Sequence, residues 1–373
     1  MSVTLAQIAQ ALGVQYHGDG TLEIAALAEP ADAGPQDLAL AMERRFGEDL
    51  AAGRARAALL WPGADWRALG LEGAIEVARA GAVMPALTAL MDRAPDLADE
   101  IHASAVIDAS ARIGAGARIA PFVVIGAGVE IGADARIGPH VSIGAGVRIG
   151  AGARLHGGVR IEHGVRIGDN FIAHANAVIG SDGFSFKKVD RASTVEQLRS
   201  TLASGAVGEI DHQGGAAWAR VHSLGSVEIG DDVEIGASTT IDAGTIRATR
   251  IGRGTKIDNQ VQIGHNVVIG EDCLICGDSA IAGSTRIGDR VVLGGACKVT
   301  DNIFIGDDVI VGGISGVFTN VPARRQVWGW PAVKIDTQMA INREIRRLPR
   351  LAAQIRAFLQ HNDAANDARK GKK

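Results

Sequence analysis

A bulky aliphatic residue stands at every sixth position over most of this chain. From Ile101 the series runs through Ile107, Ile113, Ile119, Ile125, Ile131, Ile137, Ile143, Ile149, Leu155, Ile161, Ile167, Ala173 and Ile179. Ile229, Ile235 and Ile241 resume it after an insertion, and a further run extends without a slip from Ile251 to Val317. A period of six fits neither the turn of a helix nor the alternation of a half-buried strand; it marks a hexapeptide β-helix.

The neighbouring positions fill in the geometry. Gly follows the aliphatic often (Gly114, Gly126, Gly132, Gly138), as expected where the backbone turns a corner with positive φ. Four residues after the aliphatic comes a small one, such as Ala117, Val123, Val129, Ala135 or Val141, and both slots are expected to face inward. Such a core has no room for rings, in keeping with an aromatic content of 4%. Phe171 is the exception: it takes a small slot, and the next aliphatic slot shrinks to Ala173, exchanging bulk at roughly constant volume. With three hexads to a triangular coil, the series make about ten coils, and at a spacing of ~4.8 Å the prism is roughly 45 Å long. Each coil covers the next. The coil is expected to be left-handed, a departure from the usual right-handed crossover.

Residues 1–100 lack the period. Leu5 to Leu12, Phe46 to Arg54 and Val83 to Met91 read as helices, and Glu23 to Leu27 and Ala57 to Trp61 as strands, which makes a small α+β domain. The solenoid is expected over 101–320, interrupted at 182–226 by a polar, irregular stretch containing Lys187, Lys188, Asp190, Gln213, Gly214 and Gly215. That stretch reads as a loop thrown out from one corner. A second break is the ten-residue step from Ile241 to Ile251. After Trp328-Gly-Trp330-Pro331 the period ends, and over 321–373 Ile341, Ile345, Leu348, Leu351, Ile355 and Phe358 trace a helical stripe that Pro349 is expected to kink or split. The fold class is thus mainly β: a left-handed parallel β-helix with an N-terminal α+β domain and C-terminal helices.

Met1 to Gly13 holds no continuous apolar run, so neither a signal peptide nor a transmembrane helix is expected, and a cytoplasmic location follows. A net charge of −4 offers nothing to a nucleic-acid partner. Cys273 and Cys297 sit in small inward slots, so Cys273-x-x-Cys276 reads as core rather than as a redox or metal motif. His156 and His174 are one coil apart and should stack ~4.8 Å from each other on one edge. A metal-dependent hydratase would need three converging histidines, and His163 lies on another face, so no metal is expected.

A hexapeptide coil names no reaction by itself. The telling segment is Asp258-Asn-Gln-Val-Gln-Ile-Gly-His265-Asn266, in which His265 takes an outward slot two residues after Ile263. Spacing alone leaves it between a surface histidine and a functional one. On the terminal stripe, Arg343, Arg346, Arg347 and Arg350 form a basic cluster that reads either as a solvated face or as a docking surface for an acidic partner.

The segment Gly252 to Ala282 resembles the active-site region of the UDP-3-O-(3-hydroxyacyl)glucosamine N-acyltransferases of lipid A synthesis in Gram-negative bacteria. Three other stretches resemble the same family: Leu5 to Gly20 followed by Ala33-Gly-Pro-Gln-Asp-Leu38, Ile179-Gly-Ser-Asp-Gly-Phe184, and Ile235-Gly-Ala-Ser-Thr-Thr-Ile-Asp242. The resemblance implies transfer of a 3-hydroxyacyl group from acyl carrier protein to the 2-amino group of the UDP-linked, 3-O-acylated sugar. No separate cofactor is implied, because the acyl group arrives on the carrier's phosphopantetheine. It implies His265 as the general base, Gly283 as the oxyanion donor, Asn259 as a polar residue beside the base, and a homotrimer with sites between neighbouring prisms. Where the family carries Phe, Asn and Tyr around uridine, the aligned positions are Leu40, Glu43 and Phe46. Asn302 stands where a second histidine near the phosphates is common, and Ala243 where Arg is common. The rivals are the sister UDP-N-acetylglucosamine O-acyltransferase, which typically follows its base with Asp where Asn266 stands here, and a non-catalytic hexapeptide scaffold.

Overall fold

The computed structural model describes residues 2–92, 100–189, 196–197, 217–329 and 333–370, with backbone only over 361–370. Asp190, Gln213, Gly214, Gly215, Trp330 and Pro331 lie outside the described residues. The chain divides into two compact units, Met1–Asp96 and Leu97–Lys373.

In the first unit the expected helix forms at Leu5–Leu12. Thr4 and Gln7 cap each other's backbone N–H groups at its start, and Gly13 closes it in the left-handed conformation. The expected helix at Phe46 to Arg54 is shorter, Gly47–Ala52, preceded by a 3-10 turn over Arg44–Phe46. A five-stranded sheet runs in the order Tyr16–Gly18, Gly73–Glu76, Ala57–Leu60, Asp37–Ala41, Ala26–Ala28, antiparallel in the first pair and parallel thereafter. Asp37–Ala41 and Gly73–Glu76 escaped the sequence reading because burial on both faces removes the alternation that would announce them.

The second unit is a left-handed parallel β-helix. Its short strands stack into three sheets of 10, 10 and 9 members, so each residue pairs with its counterpart one coil on, as in Ile125↔Ile143↔Ile161. Both inward slots are filled as expected: Val123, Ile125, Val129, Ile131, Val141 and Ile143 are buried, and so are Phe171 and Ala173. On two faces the ladder crosses the insertion in register, with Ile167↔Ile229 and Ala173↔Ile235, and on the third Ile179↔Ile241 is followed by a local shift at Ser181↔Asp242, where the insertion leaves the coil. It continues to Gln326–Val327, past the expected end near residue 320.

The role assigned to glycine is corrected. The glycines directly after the aliphatics are not the positive-φ residues, with Gly180 the exception among those described. Positive φ falls two residues later, at Gly116, Gly128, Gly146 and Gly152, and equally at Asp134, Asn170, Asn176 and Asp272. Asn and Asp tolerate that region better than other side chains, which accounts for their recurrence at this corner. Glycine after the aliphatic is a matter of space: a Cβ on Gly114 would lie 2.4 Å from the carbonyl carbon of Gly132 in the next coil.

The terminal segment is a single helix, Ile335–Lys370, with Pro349 inside it, so the proline does not split it. Its apolar stripe is exposed in the single chain, Ile345 at 52% and Leu348 at 55%.

Candidate functional site

His265 sits at a corner of the coil, half-buried, where the second series makes its ten-residue step. That step, unexplained from sequence, builds the support for the imidazole. Thr245 in the step donates its N–H to Asn266 Oδ1 at 3.1 Å, and Arg247 offers its carbonyl to Asn266 Nδ2 at 2.9 Å. Thr249 Oγ1 accepts the Asn266 N–H at 2.9 Å. With its nitrogen donating to Arg247 and its oxygen accepting from Thr245, the Asn266 amide has one orientation. Its Oδ1 lies 3.0 Å from His265 Nδ1, so the ring must donate there in its neutral form. The lone pair is left on Nε2. Asn266, buried and fixed by these bonds, is the residue that sets the tautomer.

Two glycines flank the ring. A Cβ on Gly183 would come 2.8 Å from the His265 Cβ, and one on Gly283 would come 2.8 Å from Cε1 and 2.9 Å from Nε2. Any side chain at 283 would therefore collide with the imidazole. The Gly283 N–H has no partner among the described residues, and Gly283 lines the same cleft as His265. Beside them, Asp242 is 8% exposed and accepts from Ser181 Oγ at 3.0 Å and Gln262 Nε2 at 3.2 Å. Burial pushes its carboxyl above the usual range, opposed by those two bonds and by the attraction of His265.

His265 stands between two hollows. One, of about 760 Å³, is lined by Phe184, Phe186, Trp218 and Ala282, by the charged pair Lys187 and Glu196, and by Gly283, Asp301 and Asn302. The other, of about 500 Å³, is lined by Asp182, Asp242, Gln262 and Lys298 among others. The three aromatics of the first hollow come from the stretch 182–226, which the sequence left without a role.

Of the residues singled out from sequence, the structure brings together His265, Gly283 and Asn302. Within the single chain Asn259 lies one hexad before the base, exposed, where its Oδ1 accepts the Ala237 N–H at 2.6 Å. Leu40, Glu43 and Phe46 belong to the first unit. Leu40 is part-buried in its sheet, Glu43 pairs with Arg45 at 3.0 Å, and the Arg45 guanidinium lies 4.8 Å from the Phe46 ring centre. Arg343, Arg346, Arg347 and Arg350 are exposed on the terminal helix, and Arg347 bonds Glu344 at 2.8 Å.

His156 and His174 stack as expected, centroids 4.9 Å apart and planes at 13°, with His174 Nε2 2.8 Å from Glu234. Near-parallel stacking aims their nitrogens side by side rather than at one point. No group of three or more His, Cys, Asp or Glu that could hold a metal occurs among the described residues. Burial, then the neighbouring His174 and Arg154, holds His156 below its ordinary value of 6.5. The unfolded chain therefore binds this proton more readily, so the stability this neutral ring contributes is complete above about pH 6.5 and is lost as pH falls through the lower folded value. The melting temperature of wild type relative to His156→Gln should fall as pH drops below about 6.5 and be constant above it. A difference independent of pH would rule out the titration.

The bacterial transferase hexapeptide family, a six-repeat profile, matches residues 110–145, 122–157 and 248–283. Coil and repeat together make this a hexapeptide-repeat protein. Over 233 residues it is 55% identical to a UDP-3-O-acylglucosamine N-acyltransferase of Ruegeria pomeroyi and 53% identical to one of Paracoccus denitrificans. Each alignment covers 62% of this chain and 62% of the relative, so the chain spans about three-fifths of the length of the curated relatives it matches. Over that stretch it is a sequence relative of the UDP-3-O-acylglucosamine N-acyltransferases. Among solved structures, the UDP-N-acetylglucosamine O-acyltransferase of Moraxella catarrhalis is 26% identical at a TM-score of 0.42, covering 66% of this chain and 83% of that one.

Proposed function

We propose that the protein transfers a 3-hydroxyacyl group from acyl carrier protein to the 2-amino group of UDP-3-O-(3-hydroxyacyl)glucosamine, in the cytoplasm, as a homotrimer. The observation that carries this is a histidine whose Nδ1 faces Asn266 Oδ1 and whose Nε2, like the Gly283 N–H beside it, has no hydrogen-bond partner among the described residues, between two hollows. Aminolysis of a thioester needs this pair. As the amine nitrogen attacks the thioester carbonyl, its proton passes to His265 Nε2, while the Gly283 N–H stabilises the oxygen that gains charge. Collapse of the tetrahedral species breaks the carbon–sulfur bond, and the imidazolium returns the proton to the departing thiolate. Two hollows meeting at one base suit a reaction of two substrates.

The names of the relatives and Asn266 after the base favour the amine over the hydroxyl acceptor. The deciding assay offers carrier protein loaded with 3-hydroxyacyl groups to both UDP-3-O-(3-hydroxyacyl)glucosamine and UDP-N-acetylglucosamine. Amide product with the first and none with the second is the expected result; ester product with the second would assign the protein to the sister activity, and no product with either would favour the scaffold reading.

By the resemblance, Leu40, Glu43 and Phe46 are proposed to contact uridine, and Asn302 to contact phosphate. The exposed stripe of the terminal helix would be covered in the trimer. Its basic edge, Arg343, Arg346, Arg347 and Arg350, steers the acidic carrier protein. The double variant Arg346→Glu, Arg347→Glu should bind carrier protein at least about tenfold more weakly at low salt, and the difference should shrink as salt screens the charges. Equal titration curves at low salt would return the cluster to a solvated face.

A further inference from the structure

The inserted stretch supplies the apolar side of the cleft. Phe186–Lys187 and Ala219–Arg220 pair as a short antiparallel hairpin, with Phe186 opposite Arg220. Val221 N–H donates to the Ser185 carbonyl at 2.9 Å, and Gly183 N–H to Ser223 Oγ at 2.9 Å, so the base of the hairpin is tied to the turn that packs on His265. In a chain that is 4% aromatic, three rings converge here, and Phe184 is 86% and Trp218 48% exposed.

We propose that this hairpin is the wall of a channel for the hydrocarbon tail of the acyl donor, with Phe184, Phe186 and Trp218 as its specificity-determining residues. The proposal rests on the acyl-transfer reading above. The arrangement of the rings selects a flexible chain over a flat base. Arg220 already lies 4.9 Å from the Phe186 ring centre, and Phe184 meets Phe186 edge-on at 5.1 Å and 60°. Lys188 lies 5.5 Å from the Trp218 centre. The rings meet the cleft at angles to one another and not as one flat slot, so a methylene chain can follow their edges and faces and the small Ala282 more closely than a planar base can. The nearby charges are partly neutralised: Arg220 pairs with Asp182 at 3.6 Å and Lys187 with Glu196 at 2.7 Å. The apolar wall runs to His265 and Gly283, so a tail lying along it delivers its carbonyl carbon to the base and the free N–H.

The test uses full-length protein with Phe184→Ala, Phe186→Ala and Trp218→Ala variants, carrier protein bearing 3-hydroxyacyl chains of graded length, and free 3-hydroxy fatty acids as binding probes. The expected result is a fall of at least about tenfold in kcat/KM for long chains with little change for short ones, flattening the length preference. Calorimetry should show fatty-acid binding that survives His265→Ala and is lost in the aromatic variants. Turnover by wild type with an unchanged length preference in all three variants would overturn the channel while leaving the acyl-transfer reading intact. If wild type binds the fatty acids through these rings yet transfers no acyl group, the channel stands and the reaction fails. Binding of uridine monophosphate that depends on the three rings, with no response to fatty acid, would assign the wall to a nucleotide and overturn the proposal.

Discussion

Replacing His265 with alanine is expected to lower turnover by at least about 100-fold while the coil stays folded, because the side chain serves chemistry and no part of the core. It occupies an outward slot, and its one side-chain hydrogen bond in the described structure is to Asn266. Asn266 keeps its bonds to Thr245, Arg247 and Thr249 when the imidazole is gone. A single-turnover assay alongside a thermal melt checks both halves of the statement. Turnover within a few-fold of wild type would remove His265 from the role of base, whatever the melt shows.

A change of similar size on the stability side is expected from Ile143→Asp. Ile143 is 2% exposed and stacked between Ile125 and Ile161 in adjoining coils. A carboxylate there has no cation to pair with in a shaft of Val and Ile, and burying it unpaired costs several kcal/mol at least. A one-dimensional stack has no second packing to fall back on, so the loss should appear as a broadened or two-step melt with the middle coils opening first. A melting curve that overlays the wild type would mean that the inward register is wrong.

The coil was legible because it is periodic. The inward pair Val141 and Ile143, the swap of Phe171 for Ala173, and the stacking of His156 on His174 all follow from counting in sixes. Counting located the glycines but misattributed them: it cannot tell a residue that must bend from one that must leave room, and Gly114 proves to be the second kind. Counting placed His265 on an outward slot and no more; its proposed role, and that of Gly283, came from the resemblance. Asn266 took its function from a neighbour 21 residues earlier, Thr245, inside a step that breaks the period. Asn259 stands one hexad before His265 in its own chain, and a match along the sequence does not say which corner of the triangle a residue occupies. Phe184 appeared only as the end of a motif, and Phe186 and Trp218 carried no signal, since nothing local links residue 186 to residue 218 until the strand pair brings them to one cleft.

The inward aliphatics stay in step across the insertion, Ile167 with Ile229, Ala173 with Ile235 and Ile179 with Ile241, which has a consequence for how such a protein can change. Ile167 meets Ile229 as if the intervening stretch were an ordinary hexad or two, and the excursion leaves and rejoins the coil at one corner, closed at its neck by Lys187 opposite Ala219. Lengthening or trimming what lies beyond that neck alters the entropy of closing a loop, which grows only slowly with its length, and leaves every rung of the coil where it was. The rigid shaft and the part that meets the substrate tail can thus be inherited on separate terms: one is held to a fixed count, and the other is free to drift in length and composition while still arriving at the same histidine.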